Sequence, residues 1–210
     1  MKKALKNVSF VILLLKMCLI FGQGRPDQKI IVIDPGHGGK DSGAVGINGV
    51  QEKDVVLNIA NEILRLNENL EVPFDIYLTR YSDTLISLSD RTKLAKAVKA
   101  DLFISLHCNH SDNPDARGIE VYVANSKSKY SDEATWLAFL IQDELNKKLG
   151  FESRGVKFSN FQVLRETAGF MPSVLLELGF LSNWDEAVYY KTSKPYEALA
   201  ILFFERLINI

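Results

Sequence analysis

Short apolar runs alternate along this chain with longer segments of helical period, and few folds satisfy that alternation. Runs at 29–34, 74–79, 102–106, 119–124, 161–164 and 174–178 read as strands, the first carrying Ile30-Ile31-Val32-Ile33. Between them, 53–69 places Val56, Ile59, Ala60, Ile63 and Leu64 at helical spacing. Ser89 opens a second helix with Leu94, Ala95 and Val98 on one face. An amphipathic helix at 132–149 stops at Gly150, a usual helix terminator. Helices at 184–191 and 195–207 close the chain, the first capped by Ser182 with Asp185 three residues on. Strands that are apolar throughout and separated by helices build a mostly parallel sheet covered on both faces. The expected fold is therefore a single α/β domain, and its chemistry is expected outside the strand ends.

The 210 residues, 47% hydrophobic and 24% charged, suffice for one compact core. The formal net charge of −1 hides an asymmetry: Lys2, Lys3, Lys6 and Lys16 fall in the first 24 residues, with no acid among them. The rest carries 21 basic against 26 acidic groups, about −5, which argues against a nucleic-acid partner. A basic start, an apolar stretch at 10–21 and small residues at Gly22-Gln23-Gly24 read as a signal peptide over 1–24, leaving 25–210 as the mature domain. The stretch is short for a bilayer span, so no stable membrane span is expected once the signal is cleaved. A retained anchor stays open, because Lys16 interrupts the run and no Ala-x-Ala precedes the cut. Without the signal Cys108 is the only thiol, and no intrachain disulfide can form.

The chain has three histidines, all at two of the strand ends. His37 lies in Pro35-Gly36-His37-Gly38-Gly39, where glycine lets the backbone turn sharply and leaves the ring uncovered. His107 ends a run of Leu102-Phe103-Ile104-Ser105-Leu106, a costly place for an ionisable ring unless something binds it. His110 could add a ligand, but Asn109-His110-Ser111-Asp112 has left the strand and reads as a polar loop. Glu177 interrupts Val174-Leu175-Leu176-Glu177-Leu178, where burial costs several kcal/mol without a partner. Either it pairs inward with Arg154 or Arg165, or it is a poised general base near a cation. Glu52 alone reads as an ordinary first-turn acid favoured by the helix dipole. Two imidazoles and a carboxylate with an open position make a usual catalytic zinc site. No Gly-x4-Gly-Lys-Ser/Thr and no Gly-x-Ser-x-Gly is present, which excludes a P-loop and a nucleophile elbow.

These phrases resemble the zinc-dependent N-acetylmuramoyl-L-alanine amidases of the Amidase_3 type. The matching stretches are 31–44 (Ile-Val-Ile-Asp-Pro-Gly-His-Gly-Gly-Lys-Asp-Ser-Gly-Ala), Glu52 with its helix, 88–91 (Leu-Ser-Asp-Arg) and 100–109 (Ala-Asp-Leu-Phe-Ile-Ser-Leu-His-Cys-Asn). Then come 118–122 (Gly-Ile-Glu-Val-Tyr), 161–165 (Phe-Gln-Val-Leu-Arg) and 171–183 (Met-Pro-Ser-Val-Leu-Leu-Glu-Leu-Gly-Phe-Leu-Ser-Asn). They run in family order over nearly all of the mature chain.

The resemblance implies a six-stranded sheet, one Zn²⁺ on His37, Glu52 and His107, and Glu177 as the catalytic base. It also implies cleavage of the amide joining N-acetylmuramic acid to L-alanine in peptidoglycan, hence export to the periplasm or cell envelope, and leaves a protein activator open as a further partner. Two features depart from the family: His110 stands where a small residue is usual, and 125–133 is short where regulated members insert a blocking helix. An exported zinc peptidase acting within the stem peptide remains the other enzymatic reading, and a non-catalytic wall-binding module the other class.

Overall fold

The computed structural model describes residues 28–71 and 73–207; the signal reading over 1–24 lies outside them. Six strands, β1 (Ile30–Pro35), β2 (Asp75–Leu78), β3 (Leu102–Asn109), β4 (Ile119–Ala124), β5 (Ser153–Ser159) and β6 (Ser173–Phe180), form one sheet in the order β2-β1-β3-β6-β4-β5. All neighbours are parallel except β4 and β6, which run antiparallel. The helices are α1 (Glu52–Asn67), α2 (Leu88–Ala97), α3 (Ser131–Leu149), α4 (Gln162–Thr167), α5 (Trp184–Tyr189) and α6 (Lys194–Leu207). This is the single α/β domain, mostly parallel and covered on both faces, that the alternation predicts.

The two-residue period of a strand divides the core into two layers. Ile31, Ile33, Ile104 and Leu176 face α1, α3 and α6, meeting Val56, Ile59, Leu137 and Leu202. Val32, Phe103 and Leu175 face the other way, against Ala95 of α2 and Val163 and Leu164 of α4. Both faces of β1, β3 and β6 are therefore dry, which is why their sequences are apolar without alternation.

Several local expectations need correction. The run at 161–164 is not a strand: Phe161 caps α4, whose Val163 and Leu164 pack against the sheet. The sixth strand is instead β5, Ser-Arg-Gly-Val-Lys-Phe-Ser, which lies at the sheet edge with one neighbour and stays largely solvated. An edge strand needs no continuous apolar run, so β5 carries no such signal. The cap of α5 is Asn183, whose side-chain oxygen accepts from the backbone N–H groups of Asp185 and Glu186, and not Ser182. Helix α3 does end on Gly150, in the left-handed conformation at φ 73°.

Candidate metal centre and active site

The carboxyl ends of β1, β3 and β6 lie side by side and deliver three of the singled-out side chains. His37 follows β1, His107 is near the end of β3, and Glu177 on β6 is the register partner of His107. Glu52 enters from the first turn of α1. His37 Nε2 and His107 Nδ1 face the same oxygen, Glu52 Oε1, at 3.0 and 2.8 Å. The two rings meet edge to face at 5.0 Å between centroids. One donor atom from each of His37, Glu52 and His107 lies within 4.8 Å of the others. His110 is exposed and outside this group.

The surroundings fix these donors. Glu52 is 3% exposed and accepts backbone N–H bonds from Ala44 (2.7 Å) and Cys108 (3.0 Å). Cys108 itself is buried and free, its side chain on the core layer beneath α1. Burial pushes the Glu52 carboxyl up, but the bonds from His107 and His37 outweigh it and hold it down at about 2. Burial likewise lowers the His37 imidazole, and its bonds to Glu52 and Asp41 override that and raise it to about 9. His37 Nδ1 lies 2.9 Å from Asp41 Oδ2, an arrangement that orients the ring and leaves Nε2 for a ligand.

His37 takes the left-handed conformation itself, at φ 58°. A non-glycine residue there is strained and needs support. Two buried arginines supply it. Arg91 donates to the carbonyls of Pro35 (2.7 Å) and His37 (2.7 Å) and to Asp34 Oδ1 (2.7 Å). Arg80 donates to the carbonyls of Pro35 (2.9 Å), Gly36 (2.8 Å) and Lys53 (2.7 Å). Asp34, 1% exposed, also accepts from Thr79 Oγ1 (2.6 Å) and Ser105 Oγ (2.8 Å).

Glycine is required at two points of this cradle. A Cβ on Gly36 would stand 2.3 Å from the His107 ring, and one on Gly43 would stand 2.4 Å from Glu52 Oε2 and 2.6 Å from the His37 ring. Gly43 also sits at φ 63°. Gly43→Ala is expected to cost at least about 2 kcal/mol of stability, from left-handed strain and displacement of Glu52. Denaturant unfolding checks it, and a loss within about 0.5 kcal/mol, the range of ordinary surface substitutions, would count against the cradle.

Glu177 makes no ion pair among the described residues. Arg154 is taken by Glu120 (2.7 Å), and Arg165 bonds the carbonyl of Asn160 (2.9 Å). Both inward salt bridges open at the sequence level are thus unformed. Glu177 Oε2 is buried without a hydrogen-bond partner. Burial pushes its carboxyl up to about 7; the His107 ring pulls the other way, and Glu52 and Glu120 add to the rise. Glu120 lies directly across from it on β4, 3% exposed, its charge held by Asn109, Tyr122, Arg154 and Lys157.

His37, His107 and Glu177 open into a cleft of about 700 Å³, with Leu85, Leu88 and Phe161 on its rim. Two imidazoles and a carboxylate converging within reach of one ion, beside an unpaired carboxyl near neutrality, suit metal-assisted hydrolysis. Arg80 had no place in the sequence reading, and Asp34, Asp41, Arg91 and Glu120 entered it only within matching phrases, without a role. Asp41 is exposed and pairs with His37 four residues back, whereas the others are buried charges whose partners are mostly distant in sequence.

Comparison with known proteins agrees with this geometry. The family model for N-acetylmuramoyl-L-alanine amidase (Amidase_3) matches residues 31–209. The chain is 42% identical over 164 residues to N-acetylmuramoyl-L-alanine amidase LytC of Bacillus subtilis, covering 75% of this chain and 30% of LytC. It spans less than two thirds of the length of the next curated relatives as well. Among solved structures, an N-acetylmuramoyl-L-alanine amidase from Clostridium difficile 630 superposes with TM-score 0.79 at 32% identity, over 87% of this chain and 96% of that one. The CwlD amidase of Clostridioides difficile, solved in complex with the GerS lipoprotein, superposes with TM-score 0.77 at 26% identity, over 87% and 98%. With nearly the whole described sheet and its site inside the matched region, the chain belongs to the Amidase_3 family of N-acetylmuramoyl-L-alanine amidases.

Proposed function

We propose that this chain is an exported, zinc-dependent enzyme that hydrolyses the amide between N-acetylmuramic acid and L-alanine in peptidoglycan. The observation that carries the reading is the convergence of His37, Glu52 and His107 beside the unpartnered Glu177 Oε2. His37, Glu52 and His107 would hold one zinc ion. When bound there, zinc lowers the pKa of water and polarises a carbonyl oxygen.

The chain's own groups do the rest. Glu177 Oε2 takes the proton of the attacking water and returns it to the departing alanine nitrogen. Asp41 holds the His37 ring, Arg91 and Arg80 hold its backbone, and the apolar rim at Leu85, Leu88 and Phe161 seats the substrate over the cleft. Residues 1–24 act as the export signal and 25–210 as the catalytic domain, placing the enzyme in the periplasm or cell envelope. The turn between β4 and α3 is only 125–130, which supports an open site that needs no release from a blocking helix. A protein partner remains compatible with this, as the CwlD complex with GerS illustrates for a relative.

The test is product analysis. Zinc-loaded protein incubated with purified peptidoglycan, without any activator, should release stem peptides that begin with free L-alanine, detected by mass spectrometry. New termini elsewhere in the peptide would move the assignment to a zinc peptidase. His37→Ala is expected to lose the metal, and elemental analysis that still finds one equivalent of zinc would remove His37 from the ligand set.

A further inference from the structure

A second cavity, of about 660 Å³, opens at the other end of the strands that carry the active site. Its walls are the segments that enter those strands: Lys29 before β1, Lys99 before β3, and Phe170 and Met171 before β6. Trp136 of α3 closes one side. Trp136 and Phe170 are 61% and 59% exposed, and Phe139, stacked on Trp136 at 5.6 Å, is 51% exposed. Large aromatics grouped in water mark a contact surface.

The rim is cationic. Lys29, Lys96 and Lys99 line the cavity, and Lys96 Nζ sits 5.3 Å from the centre of the Phe170 ring. The acids facing them are Asp101 and Glu133, and Asp101 is engaged by the backbone N–H of Ile30. This end is therefore locally positive on a body that carries about −5. The described chain also begins here: in the full-length chain, before any signal cleavage, Lys29 follows the apolar run at 10–21 by only seven intervening residues, a span of at most ~25 Å.

We propose that this end of the sheet is a membrane-docking face for a bilayer containing anionic lipids. Trp136, Phe139 and Phe170 seat at headgroup level, where amphipathic rings are favoured, and Lys29, Lys96 and Lys99 pair with lipid phosphates. The cleft, at the opposite end of the strands, then points away from the bilayer. This goes beyond the proposed hydrolysis, and its readout needs no activity.

The chain contains its own pair of reporters. Its two tryptophans are Trp136, on the docking face, and Trp184, 58% exposed at the start of α5 on the cleft side. Full-length Trp184→Phe and Trp136→Phe variants would each be bound to phosphatidylglycerol–phosphatidylcholine vesicles whose acyl chains carry bromine. Quenching of Trp136 several-fold stronger than that of Trp184 is expected, and Lys29→Glu/Lys96→Glu/Lys99→Glu should erase most of the difference. Equal quenching of both, or of neither while the chain sediments with the vesicles, would overturn the proposal and leave attachment to residues 10–21 alone. Burial of Trp136 that grows with protein concentration without vesicles would overturn it in favour of a second copy of the chain.

Discussion

Glu177→Gln is expected to leave zinc in place and to slow peptidoglycan cleavage by about 10²- to 10⁴-fold, the scale of a positioned general base. The substitution keeps the shape of the side chain and removes only its ability to take a proton. Turnover by the purified variant, with metal content measured alongside, checks it; a near-wild-type rate would remove Glu177 from the role. The same substitution should stabilise the metal-stripped protein. Burial raises the folded carboxyl to about 7 from an ordinary 4.5. Between those values the folded chain holds a proton that the unfolded chain has released, so wild-type stability falls as pH rises. Below pH 4.5 the two proteins should match, and above pH 7 the variant should be more stable by about 1–3 kcal/mol. Its buried amide, itself short of partners, offsets part of the gain. Unfolding at pH 4 and pH 8 measures both ends of that window. Activity and stability then move in opposite directions at one residue, as expected where a site holds a group against its solvation preference.

Arg91→Met is expected to cost about 3–5 kcal/mol, because it strands the Asp34 carboxylate in the interior. Arg91 and Asp34 are 2% and 1% exposed, and Thr79 and Ser105 alone would remain to satisfy the acid. For a domain of this size that corresponds to a fall in Tm of roughly 6–20 °C, readable by calorimetry. Lysine should not rescue it, since one point charge cannot reach Asp34 and the carbonyls of Pro35 and His37 together. His37 would lose its hold on the left-handed conformation, so zinc affinity should fall with stability. A cost below about 1 kcal/mol would mean that the loop is held by Arg80 and Lys53 instead.

How far the sequence reached follows from what each segment is buried against. β1, β3 and β6 are covered on both faces and announce themselves as apolar runs, so the positions of His37, His107 and Glu177 at strand ends could be read directly. β5 is an edge strand with solvated side chains and left no such mark, while the four apolar-looking residues at 161–164 fit a strand and a helix equally well. The antiparallel turn of β4 against β6, which sets Glu120 opposite Glu177, has no local signature either. Glu52 is the instructive residue of the site. On its own it looks like any acid in a first helical turn, and only the resemblance singled it out. Its meeting with both imidazoles depends on α1 packing across β1 and β3, a contact between residues 15 and 55 positions apart. The arginine clamp is hidden for the same reason: Arg80 and Arg91 reach the His37 loop from 44 to 57 residues away.

The buried Cys108 gives the fold an internal clock. Its thiol sits one residue past His107 yet turns into the opposite layer, and burial raises its pKa well above the ordinary value. It is thus kept from competing for metal and from oxidants in the solvent. A thiol reagent can reach it only when the layer that packs α1, α3, α6 and Tyr190 on the sheet opens. The labelling rate of Cys108 therefore counts the openings of the layer to which the helix of Glu52 belongs.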